Sequence, residues 1–420
     1  MQAGATITTS GISLGRCPSP ITAPRRRALR TIALMAAMLG LAACSGGATS
    51  DAPPAASTQP EASAAREIPA GPPRVAMLLP LGATEQRVAG DARAIANAAR
   101  MALQDGPTNA ITFTMLDTKG TADGARAAAE QAVAEGASLI LGPLFATSTT
   151  AAAPAAQAAG VPVLSFSTDT RVAGSGIWVT GFTPEAEVAR IVDFAARNGI
   201  TRLGVYAPDI PYGRAALDAV AGAAARAGIS VVARESYPRS FQDIERTSSG
   251  FAATARAQGA EAILMPDFSQ GLQTAASFMA FHGLAQPEVR YLGTGQWEAS
   301  ATLRETALVG GWFAGADTIA TDAFAGRYRS RFNQPPPFVA VLGYDAVRVA
   351  LDLASDAAAA GTDEPFATQQ LTREVGFSGG VGALRLLPNG QTERGIAVLE
   401  VGDGGFILRE PAPTAFRAGS

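Results

Sequence analysis

Residues that could carry nucleophilic or metal chemistry are scarce in this sequence. Its 420 residues contain one histidine, His282, and two cysteines, Cys17 and Cys44. A multi-histidine zinc site is therefore excluded, and a thiol or imidazole catalyst would have to use one of these three side chains. The single lysine, Lys119, lies in no glycine-rich phosphate-binding pattern, so a P-loop is absent. The composition thus predicts no enzyme, no metal and no cofactor.

Two glycine-rich strings imitate enzyme motifs. Gly376-Phe-Ser-Gly-Gly380 fits the G-x-S-x-G pattern, but a nucleophile elbow needs a helix directly after the serine, and a predicted strand follows here. Gly293-Thr-Gly295 begins like a dinucleotide-binding loop, yet Glu298 stands where the last glycine belongs. Both strings are predicted to be loops. His282 ends a predicted helix and is expected to be a surface or capping residue, which leaves no Ser-His-Asp triad.

The N-terminus has the layout of an export signal. Residues 1–43 carry five arginines and no acid, and an apolar run over 31–41, too short to span a bilayer comfortably, leads to Leu41-Ala-Ala-Cys44. This ending resembles the lipobox of bacterial lipoproteins, which implies that Cys44 is acylated and becomes the first residue of the mature chain. Arg25 to Arg27 also resemble a twin-arginine signal. In the sorting rule of bacterial lipoproteins, an aspartate directly after the cysteine retains the protein at the inner membrane. Ser45 stands at that position here, so the resemblance implies an outer-membrane anchor facing the periplasm, with the inner membrane as the alternative.

The mature chain is acidic and begins with a polar segment. Without the five arginines of the signal, 28 basic residues face 36 acidic ones, a net charge of −8, which argues against nucleic-acid binding. Cys17 leaves with the signal and Cys44 carries lipid, so no disulfide can form inside the mature protein. Residues 44–73 are rich in Ala, Pro, Gly and Ser and have no aromatic residue, and they are predicted to be a lipidated, disordered tether.

From Arg74 onward, short apolar runs alternate with Ala-rich helices. Continuous apolar strands between helices predict parallel sheets covered on both faces, and hence an α/β fold. The alternation restarts after Gly181, which indicates two similar lobes in one domain over 74–412. Near the C-terminus, strands are predicted at 382–387, 395–401 and 406–409, with Asn389-Gly390 as a hairpin turn between the first two. The earlier predicted helices are 88–104, 121–135, 147–159, 184–198, 211–227, 243–258, 270–283, 321–332 and 339–359.

Eight short motifs follow one another along the chain: Val75-Ala-Met-Leu-Leu-Pro-Leu81, Gly142-Pro-Leu-Phe145, Gly160-Val-Pro-Val-Leu-Ser165, Pro208-Asp-Ile-Pro-Tyr-Gly213, Leu292-Gly-Thr-Gly-Gln-Trp297, Gly343-Tyr-Asp-Ala346, Phe377-Ser-Gly-Gly380 and Leu387-Pro-Asn-Gly390. In this order they resemble the type I periplasmic binding proteins of the leucine/isoleucine/valine-binding family. The resemblance implies two lobes with a ligand cleft between them, lobe one being 74–182 with 295–360 and lobe two 183–294 with 361–412. It also implies that the loops at the carboxyl ends of the strands bind the ligand.

Polar and aromatic side chains in these loops are the candidate ligand contacts. Hydroxyl groups and helix N-termini suit a ligand carboxylate, and acids suit an ammonium group. The sequence departs from the amino-acid binders at three positions: Ala146 replaces an expected serine, Ala89 an expected aromatic residue and Gln296 an expected acid. The candidates are Thr84, Thr147, Ser148, Ser167, Thr168, Asp169, Asp209, Tyr212, Gln296, Trp297 and Glu298.

Two functions remain open, and the predicted outer-membrane anchor and the loss of polar groups from the expected pocket favour the first. Phe166-Ser-Thr-Asp169 and Gly310-Gly-Trp-Phe313 are similar to segments of penicillin-binding protein activators, which implies an outer-membrane lipoprotein that stimulates a peptidoglycan synthase by direct contact. The alternative is the substrate-binding lipoprotein of an ABC importer, with a permease and a small solute, such as an amino acid, as partners. Away from the cleft, Asp345 is expected to cap or brace a helix, and Arg394 to lie on a solvated face.

Overall fold

The computed structural model describes residues 71–416, so the predicted signal, Cys44 and most of the tether lie outside the described residues. The fold is α/β with two lobes, each built on a mainly parallel sheet flanked by helices. None of the helices within 71–416 is long and apolar enough to cross a membrane.

Lobe one is built on a five-stranded parallel sheet in the order β2-β1-β3-β4-β5. Along β1, Val75, Met77 and Leu79 pack on one face, and Ala76 and Leu78 pack on the other. Both faces are buried, which explains the unbroken apolar run. The strands are Arg74–Leu79, Thr112–Asp117, Leu139–Leu141, Val163–Ser165 and Ile177–Val179, and the helices α1 to α3 are Gln86–Asp105, Ala122–Ala134 and Ala146–Ala158.

Lobe two is built on a seven-stranded sheet in the order β15-β14-β10-β9-β8-β6-β7. Strand β14 runs antiparallel to both of its neighbours, β10 and the edge strand β15, and the other neighbouring strands are parallel. The strands β6 to β10 are Arg202–Pro208, Ser230–Tyr237, Ala262–Leu264, Arg290–Gly293 and Trp312–Gly315, and β14 and β15 are Ala397–Val401 and Phe406–Glu410. The helices α4 to α7 are Pro184–Arg197, Pro211–Ala227, Phe241–Ala257 and Ser269–Phe281.

The segment between β10 and β14 completes lobe one. Helices α8 (Thr318–Phe332) and α9 (Ala340–Ala360) pack into the lobe-one core, and α9 lies directly on α1. Gly343 permits that approach, because a Cβ there would lie 2.2 Å from the carbonyl oxygen of Ile95. The remaining elements are α10 (Thr368–Leu371) and a small antiparallel sheet of β11 (Phe377–Ser378), β12 (Ala383–Leu386) and β13 (Thr392–Arg394).

The lobe boundaries inferred from the resemblance are wrong in two places. Residues 295–315, assigned to lobe one, belong to lobe two, because β10 pairs with β9 on one side and β14 on the other. Most of 361–394, assigned to lobe two, packs on lobe one, where Phe366 and Leu384 join its core. The Asn389-Gly390 turn does join a hairpin, but β12 pairs across it with β13, while the 395–401 segment enters the sheet of lobe two.

The chain crosses between the lobes three times, at 180–183, 316–317 and 395–396. Arg394, next to the third crossing, forms a buried ion pair with Asp345 on α9 and hydrogen-bonds Thr180 at the first crossing. Nη1 of Arg394 lies 2.7 Å from Oδ2 of Asp345, and Nε and Nη2 donate to the carbonyl oxygen of Thr180 at 2.9 and 2.7 Å. The Gly380 N–H donates to Oδ1 of Asp345 at 2.7 Å. The expectation of a solvated Arg394 is wrong, since its side chain is 3% exposed.

Candidate functional site

A cleft of about 490 Å³ lies between the lobes, and we call it the carboxylate cleft after Glu187 and Glu298. Residues that follow β3, β4 and β5 form its lobe-one wall, and residues that follow β9 and β10 contribute to its lobe-two wall. The carboxyl ends of parallel strands are where open α/β sheets bind ligands. The complete lining is Arg87, Asp91, Leu144, Phe145, Phe166, Thr168, Phe182, Glu187, Gly295, Gln296, Glu298, Gly315, Ala316, Phe338, Val339, Leu342 and Ile396.

Glu187 is the buried acid of the cleft. It lies in the first turn of α4, which begins with Thr183 as its cap and Pro184 at its first position. Its side chain shares the helix face with Ile191, which is fully buried in the lobe-two core. This position leaves Glu187 only 6% exposed.

One oxygen of Glu187 is held and the other is free. The Tyr212 hydroxyl donates to Oε2 in a short hydrogen bond, and the Gly295 N–H donates to the same oxygen at 3.2 Å. Among the described residues none hydrogen-bonds Oε1. Burial raises the pKa of Glu187 to about 7, the bonds from Tyr212 and Gly295 oppose that rise, and the charges of Glu298 and Glu185 add to it. Burial also raises the pKa of Tyr212 well above its usual value, so its phenol remains a donor.

Glu298 repeats this pattern beside the 3-10 turn Gly295–Trp297. The Ala316 N–H donates to its Oε2 at 3.1 Å, and no residue within 71–416 bonds its Oε1. Burial raises its pKa too. Neither Glu187 nor Glu298 forms an ion pair with any described residue. The lobe-two wall therefore presents two acidic side chains that no basic residue within 71–416 pairs with.

The lobe-one wall is apolar. Phe145, Phe166, Phe182 and Phe338 line it, and the rings of Phe182 and Phe338 lie 4.6 Å apart. Phe145 and Phe338 are 36% and 41% exposed, which is unusual for phenylalanine in a folded domain. Arg87 lies at the rim, where it contacts both Asp91 and Glu85. Together the walls suit a ligand with an apolar body.

A second cavity of about 700 Å³, the side cavity, adjoins this cleft across Thr168 and is lined also by Asp169, Glu185 and Tyr212. Two of its acidic neighbours are neutralised locally. Arg171 binds Asp169 at 2.6 Å and lowers the pKa of that carboxyl through a side-chain hydrogen bond, and Arg214 binds Asp209 at 2.6 Å.

The structure places the candidate residues in three groups. Thr168, Gln296 and Glu298 line the carboxylate cleft, while Asp169 and Tyr212 line the side cavity together with Thr168. Neither cavity is lined by the other six, which are the exposed Thr84, Thr147 and Asp209 and the buried Ser148, Ser167 and Trp297.

Two of the buried candidates are engaged in packing. Trp297 is fully buried, and its indole N–H donates to the carbonyl oxygen of Met265 at 2.9 Å. The Ser167 hydroxyl accepts the Asp169 N–H at 3.0 Å. These side chains hold the loops in place and line neither cavity.

Sequence reasoning missed Glu187, Arg87, Phe182 and Phe338. One feature of the sequence could have indicated Glu187: it places an acid in the apolar face that Val188, Ile191 and Ala195 form along α4. The two phenylalanines and Arg87 lie outside the loops that the resemblance singled out, and nothing in their spacing distinguishes them from ordinary packing or surface residues.

The described residues offer no catalytic constellation. Within 71–416 no group of three or more His, Cys, Asp and Glu side chains could hold a metal ion. Ser378 lies in β11 and leads through a short loop to β12, so no helix follows it as an elbow requires. His282 caps the end of α7, with Nε2 3.2 Å from the Ser248 hydroxyl, and lines neither cavity.

Several solved structures share this fold. A protein from Rhodospirillum rubrum described as a branched-chain amino acid ABC transporter is 21% identical, with a TM-score of 0.68 over 80% of this chain and 99% of that one. A leucine-binding protein of Thermotoga maritima is 20% identical, with a TM-score of 0.55 over 81% and 99%. An ABC transporter solute-binding protein of Rhodopseudomonas palustris, in complex with 3,4-dihydroxybenzoic acid, is 21% identical, with a TM-score of 0.55 over 83% and 98%.

No curated protein sequence matches the chain significantly. The sequence profile of the family described as "Periplasmic binding protein" matches residues 72–405, which covers both lobes and all three crossings. Members of this family bind ligands and are not enzymes. The chain therefore belongs to the periplasmic binding protein family, with the type I, leucine-binding-like fold.

Proposed function

We propose that this protein is the substrate-binding component of an ABC importer, which captures a small solute in the carboxylate cleft and delivers it to a permease. The observation that carries the proposal is Glu187: a buried carboxylate with one free oxygen, in a cavity that both lobes line. A buried charge without a partner is costly, and a bound solute that supplies the partner recovers that cost.

The names of the similar structures support this choice over the one first favoured. Those proteins are described as ABC transporter or leucine-binding proteins. The comparisons do not support the peptidoglycan-synthase activator predicted from the sequence, and the importer alternative fits them better.

A solute screen by thermal shift tests the proposal. A solute at 100 times its Kd should stabilise the protein by about 2.7 kcal/mol. Gln296→Trp is the matched variant, since Gln296 is exposed and lines the cleft, so the indole should fill the cavity without disturbing the core. We expect a solute that shifts the wild type and not this variant. Absence of any shift, combined with stimulation of a peptidoglycan synthase, would support the activator instead.

The anchor is a separate proposal. We propose that Cys44 is acylated and holds the protein at a membrane, facing the periplasm. Ser45 favours the outer membrane, whereas delivery to a permease favours the inner-membrane alternative. Palmitate labelling should be lost in Cys44→Ser, and fractionation of the labelled wild type distinguishes the two membranes. Labelling that persists in Cys44→Ser would refute acylation at this residue.

A further inference from the structure

We infer that the solute of the carboxylate cleft is an organic cation: an amine with an aliphatic or aromatic body and no carboxylate group. The inference rests on the proposed solute-binding function and names the class of solute. It follows from three features of the cleft, namely its balance of charge, the hydrogen bonds it leaves open and its apolar wall.

The charged groups of the cleft leave a surplus of acid. Arg87 is the only basic residue among those that line it, and its guanidinium contacts Glu85 at 3.4 Å and Asp91 at 3.3 Å. The charge of Arg87 is thereby balanced on its own lobe. Glu187 and Glu298 on the facing wall have no such partner within 71–416. A cationic ligand would neutralise this pair, whereas an anionic ligand would add to the repulsion.

The free hydrogen-bonding atoms of the two acids are acceptors. Each glutamate has its Oε2 bonded to the protein and its Oε1 open. An ammonium group has three N–H donors and no acceptor, so its donors match these open acceptors.

A ligand carboxylate is poorly served by comparison. The hydroxyls of Thr149 and Ser165, near the N-terminus of α3, lie 2.7 Å apart and bond each other in a fully buried site. Thr147 and Ser148 do not line the cleft. The hydroxyls that could have held a carboxylate at this helix are therefore either engaged with each other or directed elsewhere.

The apolar wall indicates the chemistry of the uncharged part of the ligand. Phe145 and Phe338 are the more exposed rings at the cleft, and the more buried Phe166 and Phe182 line it too. Aromatic rings bind aliphatic and aromatic bodies, and their faces attract cations. Phenylalanines facing two carboxylates match an amine whose charged and apolar ends are distinct.

Proton linkage gives the inference a second readout. The charged and titratable groups around Glu187 are Tyr212 on α5, Glu298 beside the 3-10 turn, Glu185 on α4, and Arg87 and Asp91 on α1. Glu187 is half protonated near pH 7 in the free protein. An ammonium ligand requires the ionised form, so its binding below that pH releases a proton, and its affinity should fall about tenfold for each further unit of acidity.

Matched pairs of ligands test the class. Isoamylamine carries the side chain of leucine without the carboxylate, and phenethylamine bears the same relation to phenylalanine; benzoate is the purely anionic probe. At millimolar concentrations we expect both amines to raise the melting temperature of the wild type, and leucine, phenylalanine and benzoate to leave it unchanged. Glu187→Gln should weaken amine binding by about tenfold or more. Glu130→Gln, at an exposed position on α2, should bind as the wild type does.

Two outcomes would overturn the inference in distinguishable ways. If leucine or benzoate stabilises the protein as much as the amines do, the class is wrong while solute binding in the cleft stands. If none of the probes binds, the class is wrong, and the screen with Gln296→Trp decides separately whether any solute occupies the cleft. Amine binding that survives unchanged in both Glu187→Gln and Glu298→Gln would likewise refute the assignment of the carboxylates.

Discussion

Two buried carboxylates of this protein are treated in opposite ways. Asp345 is 1% exposed and has a full set of partners: the Arg394 guanidinium on one oxygen and the Gly380 N–H on the other. Glu187 is 6% exposed, has no cation within the described chain and leaves one oxygen unbonded. The first lies on α9 and is paired with Arg394, next to a crossing between the lobes, and the second lies at the cleft.

We interpret Asp345 as a carboxylate that stabilises the fold and Glu187, under the proposed function, as one that binds the ligand. A buried ion pair with complete hydrogen bonds resists change, because removing one partner leaves the other unpaired in a medium that solvates it poorly. An unpaired carboxylate raises the free energy of the empty protein and lowers that of a complex that supplies a cation. The four variants below test this contrast, from the largest expected effect to the smallest.

Arg394→Met should cause the largest loss of stability. It leaves the Asp345 charge buried without a cation and removes the two hydrogen bonds to the Thr180 carbonyl. We expect the free energy of unfolding to fall by about 3–5 kcal/mol, measured by denaturant titration.

Two further variants control that measurement. Arg93→Met removes an exposed arginine from α1 and should change stability little. Arg394→Met combined with Asp345→Leu removes both charges and should recover part of the loss. A single Arg394→Met variant as stable as the wild type would show that the pair does not brace the crossings.

Glu187→Gln should act in the opposite direction, by an amount that grows as pH rises from 4.5 to above 7. The pKa of Glu187 in the folded protein, about 7, lies above its ordinary value of 4.5. The stability linked to this raised pKa is fully present below pH 4.5 and is lost as pH rises through 7. At pH 8 the neutral variant should be more stable than the wild type by about 3 kcal/mol, and at pH 4 the two should be nearly equal.

The geometry favours this substitution, because the glutamine carbonyl can take the place of Oε2 and accept from Tyr212 and Gly295. Glu130→Gln again serves as the exposed control. A stability difference between wild type and Glu187→Gln that does not depend on pH would contradict the assignment of a raised pKa.

Phe338→Ala should lower stability by about 1 kcal/mol, since the ring is 41% exposed and packs on Phe182. The variant should weaken amine binding by more than it lowers the free energy of unfolding. Phe241→Ala is the matched control: that ring is 56% exposed and contacts Phe278 in lobe two, outside the cleft. Equal effects of the two variants on ligand affinity would remove Phe338 from the site.

Glu298→Gln should have the smallest effect. Burial is the main cause of the raised pKa of Glu187, and the charge of Glu298 is a lesser one. Removing that charge should shift the pH midpoint of the Glu187-linked stability change downward by less than about one unit. An upward shift of that pH midpoint would show that the charge of Glu298 does not raise the pKa of Glu187.

The lobes were predictable because their strands are apolar on both faces. The continuous apolar run from Val75 to Leu79 predicts a strand buried on both sides, and the structure shows one. The exchange of segments between lobes was not predictable. The strand Trp312–Gly315 is short and flanked by glycines, and its two neighbours lie far from each other in sequence. Pairing partners at such distances leave no local pattern.

The site was less predictable than the fold for a related reason. Loop residues such as Gln296 and Glu298 could be assigned to the cleft, because they follow a recognisable strand. The decisive acid, Glu187, lies on a helix whose apolar face looks like ordinary core, and only the packing of α4 under the 3-10 turn brings it to the cleft. The burial of Arg394 was not predictable, because the alternation of polar and apolar residues along its strand does not show that another segment of the chain covers the polar face of that strand.

The return of the chain to lobe one after β10 has a consequence for synthesis. Lobe one lacks α9 until residue 360 has been made, and the sheet of lobe two lacks β14 and β15 until residue 410. During synthesis the core of lobe one therefore stays open until α9 is made, with Ile95 and Met101 on α1 uncovered by a helix encoded some 250 residues later, and the core of lobe two stays open longer still. A premature stop before Arg394 would leave both lobes unfinished and expose their apolar surfaces to aggregation.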